Sequence, residues 1–187
     1  GWGGESGAVA LSVSLEAPEP PPAIGTITLS NATIDENLPN GTAVGQFGVE
    51  TGAPTYALVA GAGDTGNSFF TIDGDTLQSS GSFNAEAQGT YSVRVQAARD
   101  GKSREAVFTI TIGDVNEAPT AIGLSAQVVS ENAGVGTPVG QVAVVDEDAA
   151  DTHALALVAG AGSEGNGLFS IVDGVLFTAG TFDFETS

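Results

Sequence analysis

The acidic residues of this sequence form short clusters whose spacing suits the binding of a metal ion. Asp146 and Asp148 lie two positions apart, as do Asp183 and Glu185, and alternate residues of an extended strand face the same way. A further acidic cluster occupies residues 114–117. Calcium takes about six to eight oxygen ligands from carboxylates, amides and backbone carbonyls. The clusters therefore indicate a calcium site, provided that the fold brings them together.

The charge balance supports this interpretation. The 187 residues include 4 Lys and Arg against 23 Asp and Glu, which gives a formal net charge of −19. Self-repulsion of this size opposes compaction, and bound cations relieve it wherever carboxylates converge. Nucleic acid is not expected as a partner, because phosphate binding needs clustered cations. The simpler alternative is an acidic, solvated surface without bound metal.

The sequence contains no cysteine, which excludes disulfides and thiolate metal sites. Small domains that lack disulfides are often stabilised by bound metal ions. No apolar run is long enough to span a membrane, so membrane insertion is not expected. The sequence does not begin with Met, and we interpret it as an excerpt from a longer precursor.

An internal repeat organises the chain. Residues 57–63 recur letter for letter at 156–162, a shift of 99, whereas Glu36-Asn37 matches Glu131-Asn132 at a shift of 95. The second copy therefore carries about four extra residues, near 148–151.

The repeat predicts three segments. Residues 1–19 are expected to be the last strand and linker of a preceding repeat, because Val9–Leu15 resembles Val107–Ile112 at the end of the first copy. Residues 20–118 form the first copy. Residues 119–187 form the second, which stops before the equivalents of its last strands.

The residue pattern within the first copy has a period of two, which is typical of half-buried strands. Tyr91, Val93, Val95 and Ala97 alternate with polar residues. The 27 glycines suit a protein rich in turns. Together with Gly, Asn and Asp turns, these runs predict an antiparallel β-sandwich. The strand candidates are 24–29, 43–50, 54–60, 68–72, 75–80, 91–97 and 107–112.

These motifs resemble the cadherin repeat, in particular the form found in large bacterial surface proteins. Residues 114–119 resemble that family's inter-repeat linker, residues 146–148 its Asp-x-Asp motif and residues 183–185 its Asp-x-Glu motif. The resemblance implies an all-β fold of tandem seven-stranded Greek-key sandwiches, the second incomplete. It also implies Ca²⁺ bound at the junction between repeats.

The resemblance further implies a set of ligands. The junction between the copies would use the side chains of Glu36, Glu86, Asn116, Glu117, Asp146 and Asp148, and the carbonyls of Val115 and Ala118, with Asp114 in the same motif. The second copy would present Glu131, Asp183 and Glu185 to a following linker.

Two departures from the family pattern weaken particular sites. Asn84 stands where the family has the aspartate of Asp-x-Glu, so one carboxylate is lost. The first copy has Val49-Glu50-Thr51-Gly52 in place of Asp-x-Asp, and the leading linker has Pro18 in place of the asparagine. A calcium site ahead of the first copy is therefore not expected.

An enzymatic function is not expected. His153 is the only histidine and Asp151 is near it, but no serine lies in a nucleophile-elbow pattern. Gly61-Ala62-Gly63 and its repeat lack the lysine of a phosphate-binding loop. Two carboxylates facing the same way suit a metal better than the two sides of a glycosidase cleft.

The sequence thus predicts a calcium-stiffened structural or adhesive module of a secreted or cell-surface bacterial protein. Its expected partners are neighbouring repeats of the same or identical chains, with a cell-surface glycan or protein as an adhesion target. Two alternatives stay open. One is a subunit of an extracellular filament assembled by β-strand donation. The other is a carbohydrate-binding module, although the only tryptophan, Trp2, lies outside both copies.

The two linkers are predicted to differ in metal binding. The linker at 114–119 should bind calcium, whereas that at 16–22 should not, because proline replaces the amide and the first copy lacks Asp-x-Asp. Crystals grown with calcium should show the ion only at the later linker in anomalous maps. A well-occupied calcium beside Glu19 would contradict the prediction.

Overall fold

The computed structural model describes residue 1, residues 23–183 and residue 185. Trp2, the strand predicted at Val9–Leu15 and the linker at 16–22 lie outside the described residues. Among the residues that are described, strands are joined by turns and by two short 3₁₀ segments, Asn67–Phe69 and Asn166–Leu168. No helix in this part of the chain is long and apolar enough to cross a membrane.

The first copy contains eight of the described strands and the second copy contains four. Alternation explains the clearest of them, since Tyr91, Val93 and Val95 are buried while the residues between them are only half-buried. In chain order the strands are β1 (Thr28–Leu29), β2 (Thr33–Asp35), β3 (Ala43–Gly48), β4 (Thr55–Leu58), β5 (Phe70–Asp73), β6 (Thr76–Ser79), β7 (Thr90–Arg99), β8 (Lys102–Gly113), β9 (Ala121–Leu124), β10 (Pro138–Val145), β11 (Phe169–Val172) and β12 (Val175–Thr178).

Two four-stranded sheets make up the first copy, in the orders β1-β3-β6-β5 and β2-β8-β7-β4. The short strand β2 pairs in parallel with β8, whereas β4 and β7 pair antiparallel. Phe47 on β3 lies 5.3 Å, between ring centroids, from Tyr56 on β4 and 5.6 Å from Phe108 on β8. The aromatic contacts join the two sheets into a sandwich.

The third sheet repeats the first. Its order is β9-β10-β12-β11, and its strands follow β1, β3, β6 and β5 at shifts of 95 and 99 residues. Both copies carry the same irregularity in register, between Ala43 and Gly45 in β3 and between Pro138 and Gly140 in β10. The repeat seen in the sequence is therefore also a repeat of structure.

Two strands differ clearly from their predictions. β8 begins at Lys102 rather than at residue 107. The single strand expected at 24–29 is shortened to β1, and β2 follows it in the opposite sheet. A strand of three residues with one buried side chain, Ile34, shows no alternation that a sequence pattern could reveal. The chain therefore changes sheets at residues 30–32, between β1 and β2.

The described residues divide into two compact units. One comprises residues 23–32, 39–81 and 91–110, and the other comprises residues 33–38, 82–90 and 111 onward. Every predicted metal ligand lies within the second unit. The units do not follow the repeat boundaries, so the division into residues 20–118 and 119–187 stays a prediction.

The register irregularity in β3 gives a test of packing. A Cβ on Gly45 would overlap the carbonyl oxygen of Asn31, whereas a Cβ on Gly123 in β9 would have nothing within 4 Å. Gly45→Ala should therefore lower the free energy of unfolding by about 1–3 kcal/mol, because the backbone has to shift. Gly123→Ala should change it little. Equal thermal midpoints for the two variants would show that the contact is not tight.

Candidate metal site

A buried carboxylate organises the acidic residues. Glu36 follows β2 and is only 2% exposed. Its Oε2 accepts a hydrogen bond of 2.8 Å from the amide of Ala85, and its Oε1 accepts one of 3.0 Å from the amide of Val115. Its own amide donates to the carbonyl of Gly113 at 3.0 Å. A buried charge is tolerated when it is hydrogen-bonded in this way, so Glu36 joins the turn at 84–87 to the start of the linker.

Five carboxylates converge around this point in two overlapping groups. One group comprises Glu36, Glu86 and Asp114, and the other comprises Glu86, Glu117 and Asp148. In each group one oxygen from every residue lies within 4.8 Å of the others. Like charges at such distances repel strongly unless a cation or protons neutralise them. Glu86 belongs to both groups and links them.

Glu117 has a buried carboxylate oxygen without a hydrogen-bond partner, as Asp146 also does. Its amide donates to Oδ2 of Asp148 at 2.7 Å, and Nδ2 of Asn37 donates to its Oε1. Its other carboxylate oxygen, Oε2, is buried and has no hydrogen-bond partner in the described structure. A buried carboxylate oxygen without a donor is costly, and a bound cation beside it removes that cost.

The pKa values of three carboxyl groups respond to this crowding. For Glu86, a hydrogen bond from its own amide lowers the pKa, but partial desolvation and repulsion from Glu36, Asp114 and Asp148 outweigh it and raise the pKa. Partial desolvation raises the pKa of Asp114, and repulsion from Asp148 and Glu36 adds to the effect. The pKa of Glu117 is raised by partial desolvation and then by Glu36 and Asp148. All three groups thus resist ionisation without a cation.

An open pocket beside the carboxylates contains one acidic residue that was not predicted. Asp151 belongs to the extra residues of the second copy, and its amide donates to the carbonyl of Asp148 at 3.0 Å. The charge on Asp151 also raises the pKa of Asp114. Its position in an insertion that already contained Asp148 was the signal that could have identified it. The pocket is lined by Glu86, Asp114, Asn116, Asp148, Ala149, Ala150 and Asp151.

Asp146 is not part of either carboxylate group. Its side chain is only 4% exposed, and its Oδ2 lies 3.4 Å from Nε2 of His153. Its Oδ1 accepts a hydrogen bond of 3.3 Å from the amide of Asp148. Asp146 therefore contacts the only histidine, and its predicted role as a ligand stays a prediction.

Three other linker residues were predicted as ligands. Nδ2 of Asn116 donates to the carbonyl of Glu117 at 2.8 Å, and its side chain borders the pocket. The amide of Val115 is bonded to Glu36. Ligation through the carbonyls of Val115 and Ala118 stays a prediction.

The acidic residues predicted for the following junction also lie together. Glu131, Asp183 and Glu185 each place an oxygen within 4.8 Å of the other two, and all three are exposed. The amide of Glu185 donates to Oδ1 of Asp183 at 3.1 Å. Glu131 is the repeat equivalent of Glu36, and each lies in a group of three carboxylates. The two differ in burial, because Glu36 is buried and Glu131 is exposed.

Asn84 takes on a structural role where the family pattern has a carboxylate. Its Oδ1 accepts a hydrogen bond of 2.6 Å from the amide of Ala87, which closes the turn that carries Glu86. Its Nδ2 donates to Oε1 of Glu147. Because a carboxylate could not make the second contact, the amide joins this turn to residue 147 without metal.

Comparison with known proteins identifies the fold. No family model and no curated protein matches the sequence. Human protocadherin-24 EC1-2 superposes with a TM-score of 0.67 at 17% identity, over 88% of this chain and 81% of that one. Protocadherin gamma B2 extracellular cadherin domains 3-6 superpose with a TM-score of 0.61 at 19% identity, over 86% of this chain and 40% of that one. Mouse cadherin-23 EC22-24 superposes with a TM-score of 0.60 at 18% identity, over 87% of this chain and 56% of that one.

These similarities establish the class of fold. The chain has the β-sandwich fold of cadherin extracellular domains, and the predicted all-β sandwich architecture is confirmed. The chain spans less than half the length of the protocadherin gamma B2 structure.

The raised pKa values predict an unusual pH response of the metal-free protein. Because the folded-state pKa values of Glu86, Asp114 and Glu117 exceed their ordinary values, ionising these groups destabilises the folded chain at neutral pH. The penalty should decline as the pH falls through the folded pKa values, and it is absent below the ordinary ones. In chelator, the melting temperature should therefore rise as the pH is lowered from neutral towards the ordinary pKa values of these carboxyl groups.

A matched pair of triple variants separates this effect from general charge repulsion. Glu86→Gln, Asp114→Asn and Glu117→Gln together should flatten the rise. The control variant removes as much charge from exposed positions, through Glu50→Gln, Asp73→Asn and Glu164→Gln. It should keep most of the rise in melting temperature. Equal slopes for the two triple variants would assign the response to overall charge instead.

Proposed function

We propose that this chain is a calcium-stiffened repeat module that serves as a structural and adhesive spacer in a secreted or cell-surface protein. The observation that carries the proposal is the buried, unpartnered Oε2 of Glu117 beside Glu86 and Asp148. Converged carboxylates with raised pKa values and a buried oxygen that lacks a hydrogen-bond donor are the features expected of residues that bind a cation.

The donor chemistry favours calcium over other metals. The groups comprise carboxylate oxygens, and an asparagine side chain borders the pocket, which suits a hard cation with a high coordination number. Glu86, Glu117 and Asp148 would hold one ion, and Glu36 and Asp114 would contribute to a second beside it. The absence of cysteine and the single histidine, already in contact with Asp146, argue against a zinc site.

Stiffening follows from where the ligands lie in the chain. Glu36, Glu86, the linker at 114–117 and Asp148 are distant in sequence but belong to one compact unit. An ion among them would neutralise their repulsion and would restrict the linker that separates the two copies. Calcium would thereby turn a repulsive, adjustable junction into a fixed one.

The biological setting is part of the proposal. The likeness to extracellular domains of protocadherin-24 and cadherin-23 supports an extracellular location and partners that are neighbouring repeats. The motif pattern supports a bacterial surface protein, with a cell-surface glycan or protein as the adhesion target. In this proposal the repeats are residues 20–118 and 119–187, and residues 114–119 form their junction.

Calcium should stabilise the chain. Extracellular calcium modules bind at about 10⁻⁴–10⁻³ M, so saturation at about a hundred times the dissociation constant should add ~2.7 kcal/mol per site. Differential scanning calorimetry should show a higher melting temperature in calcium than in chelator. Asp148→Asn should reduce the increase, because it removes a charged ligand but can still accept the hydrogen bond from Glu117.

Two controls address the high negative charge of the chain. Sodium chloride at the same ionic strength should reproduce little of the calcium effect, because screening alone supplies no ligation. Glu164→Gln removes the same charge from an exposed turn and should keep the full response. Identical melting curves in chelator and in millimolar calcium would contradict the proposal.

A further inference from the structure

The asparagine that follows each repeated glutamate has an unusual backbone conformation. Glu36-Asn37 recurs as Glu131-Asn132, and the φ angles of the two asparagines are 59° and 60°. This left-handed region is strained for most side chains but is tolerated by asparagine. The same residue in the same conformation therefore follows the glutamate in both copies.

The left-handed turn directs the side chain of Asn37 towards the linker. Neighbouring side chains of an extended strand face opposite ways, but Glu36 and Asn37 both contact this one segment. Oε1 of Glu36 accepts a hydrogen bond of 3.0 Å from the amide of Val115. Nδ2 of Asn37 donates a hydrogen bond to Oε1 of Glu117. The turn thus brings two consecutive polar side chains to the same short stretch of chain.

The hydrogen bond from Asn37 distinguishes the two oxygens of the Glu117 carboxylate. Glu117 belongs to the carboxylate group that also contains Glu86 and Asp148. Its Oε1 accepts the amide of Asn37, whereas its Oε2 is buried and has no hydrogen-bond partner among the described residues. Oε2 is therefore the oxygen that is left for a cation.

The chemistry of the donor at Asn37 suits this role. Arginine commonly binds a carboxylate through both of its oxygens, and either arginine or lysine would offset the negative charge that attracts a cation. The asparagine amide is uncharged and donates to Oε1 alone. It can orient Glu117 and still leave both the charge and Oε2 available.

We infer that Asn37 is a positioning residue of the calcium site, which holds Glu117 so that the ion binds through Oε2 alone. The inference rests on the proposed function, because it concerns the same ion. Calcium accepts a carboxylate through one oxygen or through two, so the protein has to select between the two modes. Hydrogen-bonded partners of metal ligands fix the orientation of those ligands, and their loss weakens metal binding.

Replacing Asn37 by glycine separates the role of its side chain from that of its backbone. Glycine adopts positive φ without strain, so Asn37→Gly keeps the turn and removes the amide. Its dissociation constant for calcium, measured by isothermal titration calorimetry on the full chain, should rise about tenfold.

Asn132→Gly is the matched control for this variant. It makes the same change at φ 60°, beside Glu131, which belongs to a different carboxylate group. It should leave the calcium affinity of the Glu117 site nearly unchanged. An equal loss of affinity in the two glycine variants would overturn the inference.

A double-mutant cycle tests whether Asn37 acts through Glu117. Glu117→Gln should weaken calcium binding by itself. Adding Asn37→Gly to Glu117→Gln should cause little further loss, because the carboxylate that Asn37 orients is already absent. A merely structural role of Asn37 would instead give losses that add in full, and that result would contradict the inference.

A crystal structure of the unsubstituted chain with calcium supplies a test that needs no variant. The ion should contact Oε2 of Glu117 while Oε1 keeps its hydrogen bond from Asn37. An ion that contacts both oxygens, or Oε1 alone, would rule the inference out.

The calcium titration also distinguishes this inference from the proposed function. If the unsubstituted chain binds no calcium, the proposed function and the inference fail together. If that chain binds calcium and Asn37→Gly binds it equally well, only the inference fails.

Discussion

The buried carboxylate of Glu36 is the contact on which the acidic site depends. Its two oxygens accept backbone hydrogen bonds from Ala85 and Val115, which lie far from it in the sequence. These bonds fix the turn that carries Glu86 and the start of the linker that carries Asp114. Removing an acceptor at this position would leave buried amides unpaired, which is costly. Glu36 therefore acts on the site first through backbone geometry and only then through its charge.

The converging carboxylates repel one another, and their described hydrogen bonds do not neutralise this negative charge. The amides of Asn37 and Asn84 neutralise none of the charge, although they donate to Glu117 and Glu147. The described ion pairs of arginine, between Arg94 and Glu105 and between Arg99 and Asp100, lie in the other compact unit. The compact unit that contains these carboxylates includes no lysine or arginine among its described residues. A fold that concentrates negative charge in this way has its stability linked to cations in the solvent.

The two copies show how one sequence pattern can give different degrees of packing. The sheets β1-β3-β6-β5 and β9-β10-β12-β11 share their order and their register irregularity. Their burial differs, because Phe47 packs against a second sheet, whereas the given sequence stops before the equivalents of β7 and β8 in the second copy. Backbone pairing within a sheet therefore forms from local pattern and turns, whereas burial requires the opposite layer.

The sequence by itself determined the repeat, the all-β sandwich class and the kinds of ligand available. The alternation at 91–97 and the letter-for-letter recurrence can be read from the sequence, and the burial of alternate residues in β7 agrees with the first of them. The resemblance implied that Glu36, Glu86, Glu117, Asp146 and Asp148 serve one junction, with Asp114 in the same motif, and their role as ligands stays a prediction. Only the tertiary structure decided which carboxylates lie together. It paired Asp146 with His153 and brought Asp151 to the pocket. The physical reason is that strand patterns specify which face a residue occupies, whereas contacts between side chains of distant segments depend on turn geometry and rotamers.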